Sequence, residues 1–479
     1  MSSFTQPARF ARKRSRQRGV ALVLVLGALT ILTVMLTEFQ DQTSADLGSA
    51  LSTRDALNAE YAAQSAVNLS RLLIATEPTI RKALAPLFLL MRRGPPQIPV
   101  WEFADRVLGA FNDTTGAESF SQLAGVKIEE GKNLGLTGAG FEVKIVDEDS
   151  KLNVNLAARG DAFSQKRLCD LLVGLVQSPQ YSPLFENRDA DGNFSDRQTI
   201  SSAIIDWTDP DQDGYMCDPS SATAQQAAAE DSYYEQLKKP YSRKNAAFDS
   251  LDELHMVRGV GDDFWATFVD PDPDDPTKRQ VTVWGQGQIN VNTANSGALW
   301  ALICSNAVPL TPMCADPAEA AKFLSLMNLL RGFTQGAPLF GSAKGFINAL
   351  KCKGDMFAAL CKTAEMEPVQ LLSEDQLRKG ATVESKVFSI YATGYVRAGK
   401  RETRVRIHAV VDFRGAPPPG AGPINANAGA PATPSQPTPS AGQPSSTPGA
   451  QSGAQADPNA MTSVLEPSPA GNVIYYRVN

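Results

Sequence analysis

Histidine is scarce in this chain. Among 479 residues there are two, His255 in a glycine-containing segment and His408 in an expected strand, and a structural role fits both positions better than a catalytic one. The sequence also lacks a Gly-x-Ser-x-Gly nucleophile motif, a phosphate-binding glycine loop and paired Cys/His zinc motifs. These absences argue against an enzyme, and we predict no catalytic residue.

Charge is missing from the eighteen residues of Val20–Thr37. At about 1.5 Å per residue, a helix of this length measures about 27 Å, close to the thickness of the bilayer core. A cluster without any acid precedes the run, formed by Arg9, Arg12, Lys13, Arg14, Arg16 and Arg18, and Glu38, Asp41 and Asp46 follow it. The positive-inside rule therefore predicts one membrane span with a cytoplasmic N-terminus and the main domain on the outside.

The glycine at the charge boundary, Gly19, lies before the apolar run. A secretory signal peptide would instead carry a small-residue cleavage site after it. The observed order resembles the leader of type IV pilin-like proteins, which a prepilin peptidase cuts after the glycine while the apolar helix is retained. This resemblance implies cleavage between Gly19 and Val20. An ordinary signal-anchor helix that follows a glycine is the alternative.

The composition is that of a globular protein with an acidic surplus. With 43% apolar and 20% charged residues, the chain can bury a sizeable core in two or three domains. Its formal charge is −6, and loss of the six basic leader residues would take it to −12. Such a balance disfavours a polyanionic partner, so we predict no binding to nucleic acid.

Cysteines number six, an even count in a chain expected to face an oxidising compartment. Cys304 and Cys314 are close enough in sequence for a local disulfide, as are Cys352 and Cys361. The sequence does not fix the connectivity, and free buried thiols remain the alternative.

The pattern of turns and apolar residues predicts a long helix followed by widely separated strands. Between Gly48 and Pro78 there is no proline or glycine, and apolar residues recur every three or four positions, which predicts an amphipathic helix continuing from the membrane. Alternation then predicts strands at Phe141–Asp147, Val387–Val396 and Thr403–Phe413.

The C-terminal region combines low complexity with a final strand. Residues from about 415 to 458 are rich in Pro, Gly, Ala, Ser and Gln, a composition typical of disorder. Val473–Val478, however, has strong strand character. We therefore predict that the low-complexity segment is an insertion between two paired strands, which is tolerable because loop-closure cost grows only slowly with length.

Carboxylates cluster at one position in the middle of the chain. Five aspartates lie between residues 206 and 218 without a lysine or arginine among them, and Asp209, Asp211, Asp213 and Gly214 copy the start of an EF-hand loop. Position twelve of that loop is a serine, so a bidentate ligand would have to come from elsewhere. We predict Ca²⁺ binding by Asp206, Asp209, Asp211, Asp213, Glu230 and Asp231. Solvated loop acids are the alternative, and Asp189–Gly192 is a weaker acidic run.

Two segments, Leu254–Gly261 and Gln288–Ala294, look like parts of helix-hairpin-helix modules. In DNA-binding versions, the glycine hairpin offers backbone N–H groups to a phosphate. Here Asp262 and Asp263 follow at once, and these acids would repel a phosphate. We therefore expect a packing role.

Taken in order, several blocks resemble the minor pseudopilin K family of the type II secretion system. The blocks are Arg18–Gly19, Asp147–Asn155, Ala203–Trp207, Ala229–Tyr234, Asp249–Leu254 and Ile289–Ala294. The resemblance implies an α+β, pilin-like fold, with a long N-terminal helix packed on an antiparallel sheet. It also implies a large inserted α-helical domain of the helix-hairpin-helix or SAM-like kind, calcium near the acidic blocks, and a complex with the minor pseudopilins I and J and other pseudopilins. The membrane that the resemblance implies is the bacterial inner membrane, with the main domain in the periplasm.

The implied domain organisation has five parts. They are a prepilin leader at 1–19, a transmembrane helix at 20–37, a pilin-like core at 38–155, 380–414 and 472–479, an inserted helical domain at 156–379, and a disordered insertion at 415–471. The cysteine-bearing region from 304 to 361 and the proline-rich insertion depart from the family pattern.

The resemblance implies a position in the filament as well. Most pilins carry a glutamate as the fifth mature residue, and this chain has Leu24 there. A leucine suits a subunit at the tip of the pseudopilus, which has no neighbour above whose amine needs a carboxylate. The alternatives are a minor pilin of a type IV pilus, a membrane-anchored DNA-binding competence protein and, more distantly, a membrane-tethered hydrolase.

Overall fold

The computed structural model describes residues 18–90, 94–112, 138–186, 188, 194–218, 225–226, 232–333, 337–417 and 468–479. Several predicted features lie outside these residues. They are the leader before Arg18, the acidic run Asp189–Gly192, the candidate ligands Glu230 and Asp231, and most of the proline-rich insertion.

The described elements alternate between one long helix, long strands and many short helices. The helices are α1 Arg18–Leu90, α2 Ala104–Gly109, α3 Ala162–Val176, α4 Ser182–Glu186, α5 Arg197–Thr208, α6 Ser232–Glu235, α7 Asp262–Phe264, α8 Ser296–Cys304, α9 Pro312–Ala315, α10 Pro317–Phe333, α11 Ala343–Leu350, α12 Asp355–Thr363 and α13 Glu374–Gly380. The strands are β1 Ala139–Asp147, β2 Leu152–Asn153, β3 Tyr215–Met216, β4 Gln225–Gln226, β5 Val281–Thr282, β6 Ile289–Asn290, β7 Ala381–Thr382, β8 Val387–Ala398, β9 Arg401–Asp412 and β10 Asn472–Val478. Short 3₁₀ helices occur at Val100–Phe103, Glu148–Ser150, Val154–Arg159, Pro179–Tyr181, Leu251–Met256 and Pro276–Lys278, and a short π-helix at Trp265–Val269.

Four long strands form an antiparallel sheet in the order β1-β8-β9-β10. In β9, Ile407, Ala409 and Val411 are buried on the face towards α1, which explains the period-two pattern of the sequence. The last strand, β10, pairs with β9, although the proline-rich insertion lies between the two strands in the sequence. The predicted pairing of these two strands is therefore confirmed.

The C-terminal half of α1 packs across this sheet. Small residues such as Ala59, Ala63 and Ala66 are fully buried there, and the helix contacts β8, β9 and β1. Pro78 and Pro86 lie within the helix, which continues to Leu90. The expected fold, a long helix on an antiparallel sheet with a helical insertion, is confirmed.

The chain between β1 and β8 forms a second core, built mainly from α3, α5 and α8. It is not wholly helical, because β2 pairs with β5 and β6 with β7, both in parallel. Of the two segments that look like helix-hairpin-helix parts, Leu254–Gly261 is a 3₁₀ turn leading into α7, whereas Gln288–Ala294 contains β6. A Cβ at Gly259 would lie 2.5 Å from Ile200, so this glycine allows close packing on α5.

Candidate functional site

The N-terminal part of α1 is an exposed apolar helix. The side chains of Val20 and Leu24 are 64% and 68% exposed, and the most apolar eighteen-residue window has a mean hydropathy of 2.6 with none of it buried. Within the part of the chain that the structure describes, no other helix is long and apolar enough to cross a membrane. Such a helix fits a single-pass anchor. The predicted cleavage residues, Gly19 and Val20, lie in its first turn.

The predicted calcium ligands begin in the last turn of α5. Asp206 is held there because its Oδ1 accepts a hydrogen bond from the Tyr215 backbone N–H at 2.7 Å. Asp209 follows the end of the helix and is fully buried, with its Oδ2 accepting from Gln165 Nε2 at 3.0 Å. No described residue donates a hydrogen bond to the other oxygen, Oδ1 of Asp209.

Burial changes the ionisation of both carboxyls. Desolvation, reinforced by the nearby charge of Asp209, raises the pKa of Asp206 to about 7. Desolvation and the charge of Asp211 raise the pKa of Asp209 to about 7 as well. Two carboxyls that resist ionisation because they are desolvated, and also lie near another acid, are those that a bound cation would stabilise.

The other two predicted aspartate ligands within the described residues, Asp211 and Asp213, are exposed. Asp211 Oδ1 accepts a hydrogen bond from the backbone N–H of Asp213 at 3.0 Å, which forms a tight Asx-type turn. The Asp211 carbonyl also accepts from Asn245 Nδ2 at 2.9 Å. The backbone of the loop is therefore fixed at Asp211, while the side chains of Asp211 and Asp213 are exposed.

Sequence reasoning missed one cation beside this loop. The Arg243 guanidinium donates to the backbone carbonyl of Asp206 at 2.9 Å, and its charge lowers the pKa values of Asp206 and Asp209, against the larger effect of burial. Arg243 comes from a different part of the chain, so no local pattern indicates it. One guanidinium offsets part of the negative charge of the three nearby aspartates, Asp206, Asp209 and Asp211.

The described residues fit a cation only in part. They contain no group of three or more His, Cys, Asp or Glu side chains that could hold a metal ion. The orphaned, buried oxygen of Asp209 and the hard oxygen donors around it nevertheless suit Ca²⁺. The expected further ligands, Glu230 and Asp231, lie outside the described residues. Calcium binding by these residues stays a prediction.

All six cysteines pair in the structure. Cys304 bonds to Cys314 and Cys352 to Cys361, the two local loops that the spacing allows. The third bond joins Cys169 of α3 to Cys217, which lies just after β3. This bond links the acidic loop to α3. Its two cysteines are 48 residues apart, so no local spacing predicts the pair.

A buried acidic turn at the end of β1 joins the sheet to the helical region. Asp147 Oδ2 accepts hydrogen bonds from the hydroxyls of Thr293 and Ser385. Asp149 Oδ2 accepts from the backbone N–H of Lys386 at 2.7 Å, and its Oδ1 accepts from that of Gln286 at 2.7 Å. The start of the block Asp147–Asn155 therefore connects the sheet to the helical region through buried hydrogen bonds.

Both histidines pack against aromatic rings. His255 stacks on Trp265 at 4.0 Å between ring centroids. His408 stacks on Tyr391 at 4.2 Å, and its Nε2 lies 3.2 Å from Ser389 Oγ. Burial lowers the pKa of His408 to about 4, so the ring is neutral near pH 7.

Comparison with known protein families gives a match for part of the chain. Residues 150–268 match the family model described as type II secretion system (T2SS), protein K. The predicted resemblance to this family is confirmed over that segment. The matched segment holds α3, α5, the acidic loop and the first helix-hairpin-helix-like segment. No curated protein sequence matches the chain.

Among solved structures, the chain is similar to one in the crystal structure of the GspK-GspI-GspJ complex from the enterotoxigenic Escherichia coli type 2 secretion system. The identity is 16% and the TM-score 0.34, and the match covers 65% of this chain and 91% of the other.

Proposed function

We propose that this protein is a minor pseudopilin at the tip of the type II secretion pseudopilus. There it would help to initiate or cap assembly during export across the outer membrane. The observation that carries this proposal is the match of residues 150–268 to protein K of that system. The exposed apolar helix of α1 supports it, because a pseudopilin needs a segment that leaves the membrane and packs in a filament.

The proposed partners are the minor pseudopilins I and J, other pseudopilins and the prepilin peptidase. The peptidase would cut after Gly19 in the cytoplasm and leave Val20 as the first residue of α1. The inner membrane would hold α1 until the subunit enters the filament. Ca²⁺ would be held by Asp206, Asp209, Asp211 and Asp213 with Glu230 and Asp231, where it would neutralise the acidic loop.

The proposed role is mechanical and not enzymatic. The two histidines stack against aromatic rings, and the buried acids Asp147 and Asp149 are occupied by hydrogen bonds from neighbouring residues. These contacts favour structural roles for the groups that general acid–base catalysis would need.

The test is co-purification of the full chain, solubilised in mild detergent, with the pseudopilins encoded beside it. We expect two small pilin-like proteins in stoichiometric amounts. The matched control is a chain in which Asp55 of α1 is changed to lysine, because this buried carboxylate pairs with Arg401 of β9 and anchors the helix on the sheet. Recovery of a type IV pilus subunit set, or of DNA, would favour the corresponding alternative.

A further inference from the structure

A groove of about 1150 Å³ crosses the helical region, and all the residues that line it lie between 162 and 380. One wall is α3, where Phe163, Arg167 and Gly174 lie on one face of the helix. The opposite wall is the loop that follows α8, closed by the Cys304–Cys314 disulfide. The groove therefore contains no residue of the four-stranded sheet or the membrane helix, and it reaches the acidic loop only at Asp218.

Large apolar side chains stand exposed around this groove. Leu310 is 87% exposed, Leu372 is 65% exposed and Phe163 is 47% exposed. Leu310 also has a φ of 69°, a left-handed backbone conformation that is uncommon for leucine. Apolar residues gathered at the edge of a concave surface are typical of binding sites, whereas isolated ones need no explanation.

The groove wall also contains a guanidinium without an acidic partner. Arg167 NH2 donates to the Gly287 carbonyl at 2.8 Å, and no carboxylate pairs with it in the described part of the chain. Burial, with a smaller contribution from the like charge of Arg159, lowers the pKa of Arg167 to about 10. The one acid nearby on α3, Asp170, is paired with Lys166. A largely desolvated cation of this kind is stabilised by an incoming carboxylate.

Polar groups suited to a peptide backbone lie between the apolar ones. The side chains of Gln177, Asn306 and Gln376 line the groove and carry both donors and acceptors. Lys379 Nζ lies 5.6 Å from the centroid of the Phe163 ring, which adds positive charge at the same edge. The lining also includes the acids Asp170 and Asp218, so the positive charge at the groove, apart from the paired Lys166, is confined to Arg167 and to Lys379 at its edge.

We propose that this groove binds a segment of a partner protein in which apolar side chains flank an acidic one. The apolar side chains would cover Phe163, Leu310 and Leu372, and the carboxylate would meet Arg167. A purely apolar helix would leave the charge of Arg167 and the polar side chains of the groove without partners, so we favour a segment that contains an acid. The inference does not depend on the proposed function, because no residue of the membrane helix or the sheet contributes to the groove.

The experiment is selection of peptides from a display library of random twelve-residue sequences on the full chain in detergent. We expect enrichment of sequences with an Asp or Glu between apolar residues. Arg167→Gln should weaken the best peptide by at least about tenfold, because a buried charge pair would be lost. Leu310→Glu and Leu372→Glu, both at exposed positions, should weaken it without lowering the melting temperature.

Leu329→Glu is the matched control, since Leu329 is 67% exposed on α10 but does not line the groove. It should leave the affinity unchanged. The proposal would be overturned by the absence of an acidic and apolar consensus, or by equal affinities for the wild type, Arg167→Gln and Leu310→Glu. Dodecanoate, an apolar chain with one carboxylate, serves as a competing probe. The proposal would also be overturned if dodecanoate bound in the groove and the selected peptides did not displace it.

Discussion

Gly394 of β8 lies directly against the backbone carbonyl of Ala59 in α1: a Cβ built on Gly394 would be 1.9 Å from that oxygen. The helix and the sheet therefore touch through their backbones at this point. Nearby, Asp55 of α1 is buried and paired with Arg401 of β9. These two contacts fix where the long helix leaves the sheet and becomes exposed.

Gly394→Ala should destabilise the protein by about 3 kcal/mol or more. The obstruction is backbone, so no side-chain rotation can relieve it, and the cost is expected at or above the usual range for overpacking. Gly109→Ala is the matched control, because a Cβ there meets nothing within 4 Å. Thermal melting of the two variants in the same detergent checks the prediction, which equal melting temperatures would contradict.

Removal of calcium should lower the melting temperature of the full chain. A ligand that binds only the folded state at a hundred times its dissociation constant adds about 2.7 kcal/mol of stability. In the double variant Asp211→Ala, Asp213→Ala the difference between chelator and calcium should disappear. Asp262→Ala with Asp263→Ala, an exposed pair outside the loop, should retain it. Identical wild-type melting curves with and without chelator would favour solvated loop acids.

His408 should make the protein less stable in mild acid. Its folded pKa, about 4, lies below the ordinary value of 6.5, so between these values the unfolded chain binds more protons. The contribution of His408 is thus fully present above pH 6.5 and is lost as the pH falls towards 4. The positive charges of Arg279, Lys151 and Arg477 also oppose protonation of His408. The negative charge of Glu148 favours protonation, but its effect on the pKa is smaller than that of burial.

The measurement is the free energy of unfolding between pH 4 and 7 for the wild type and His408→Gln. Glutamine can still hydrogen-bond to Ser389 but does not titrate. The variant should lose less stability on acidification, by up to about 1.4 kcal/mol per pH unit. His255→Gln is the control, since this histidine is exposed. Parallel curves for the wild type and His408→Gln would show that the ring is not responsible.

Features with a local pattern could be predicted from the sequence, and features that depend on distant contacts could not. The alternation around Val405 and Ile407 predicted β9, and the composition after residue 415 predicted an insertion before β10. In contrast, Ser385 reaches Asp147 across 238 residues of sequence, and Arg243 reaches the Asp206 carbonyl from outside the acidic loop. Neither contact produces a periodic or compositional pattern in the sequence, because each forms only when the helical region packs.

Blocking the predicted cleavage should trap the protein in the membrane. Gly19→Val removes the small residue before Val20 while leaving the apolar helix able to span the bilayer. We expect an unprocessed form and loss of secretion, with wild-type protein starting at Val20. Gly27→Val, inside the exposed part of α1 where a Cβ meets nothing within 4 Å, should still be processed. N-terminal sequencing decides: a wild-type chain that starts at Met1, or beyond Thr37, would rule out the pilin-like leader.

Leu24 should determine where the subunit sits in the filament. A carboxylate in the apolar part of α1 would cost about 2.5 kcal/mol or more in lipid unless it met a cation. A subunit in the shaft can meet that cost, because the N-terminal amine of a neighbour lies close by, whereas the topmost subunit has no such neighbour. We therefore expect one copy at the tip, and Leu24→Glu to reduce assembly or to move the subunit into the shaft. Immunogold labelling of isolated pseudopili should mark one end for the wild type, with Leu24→Ile as the control; labelling spread evenly along wild-type filaments would exclude the tip position.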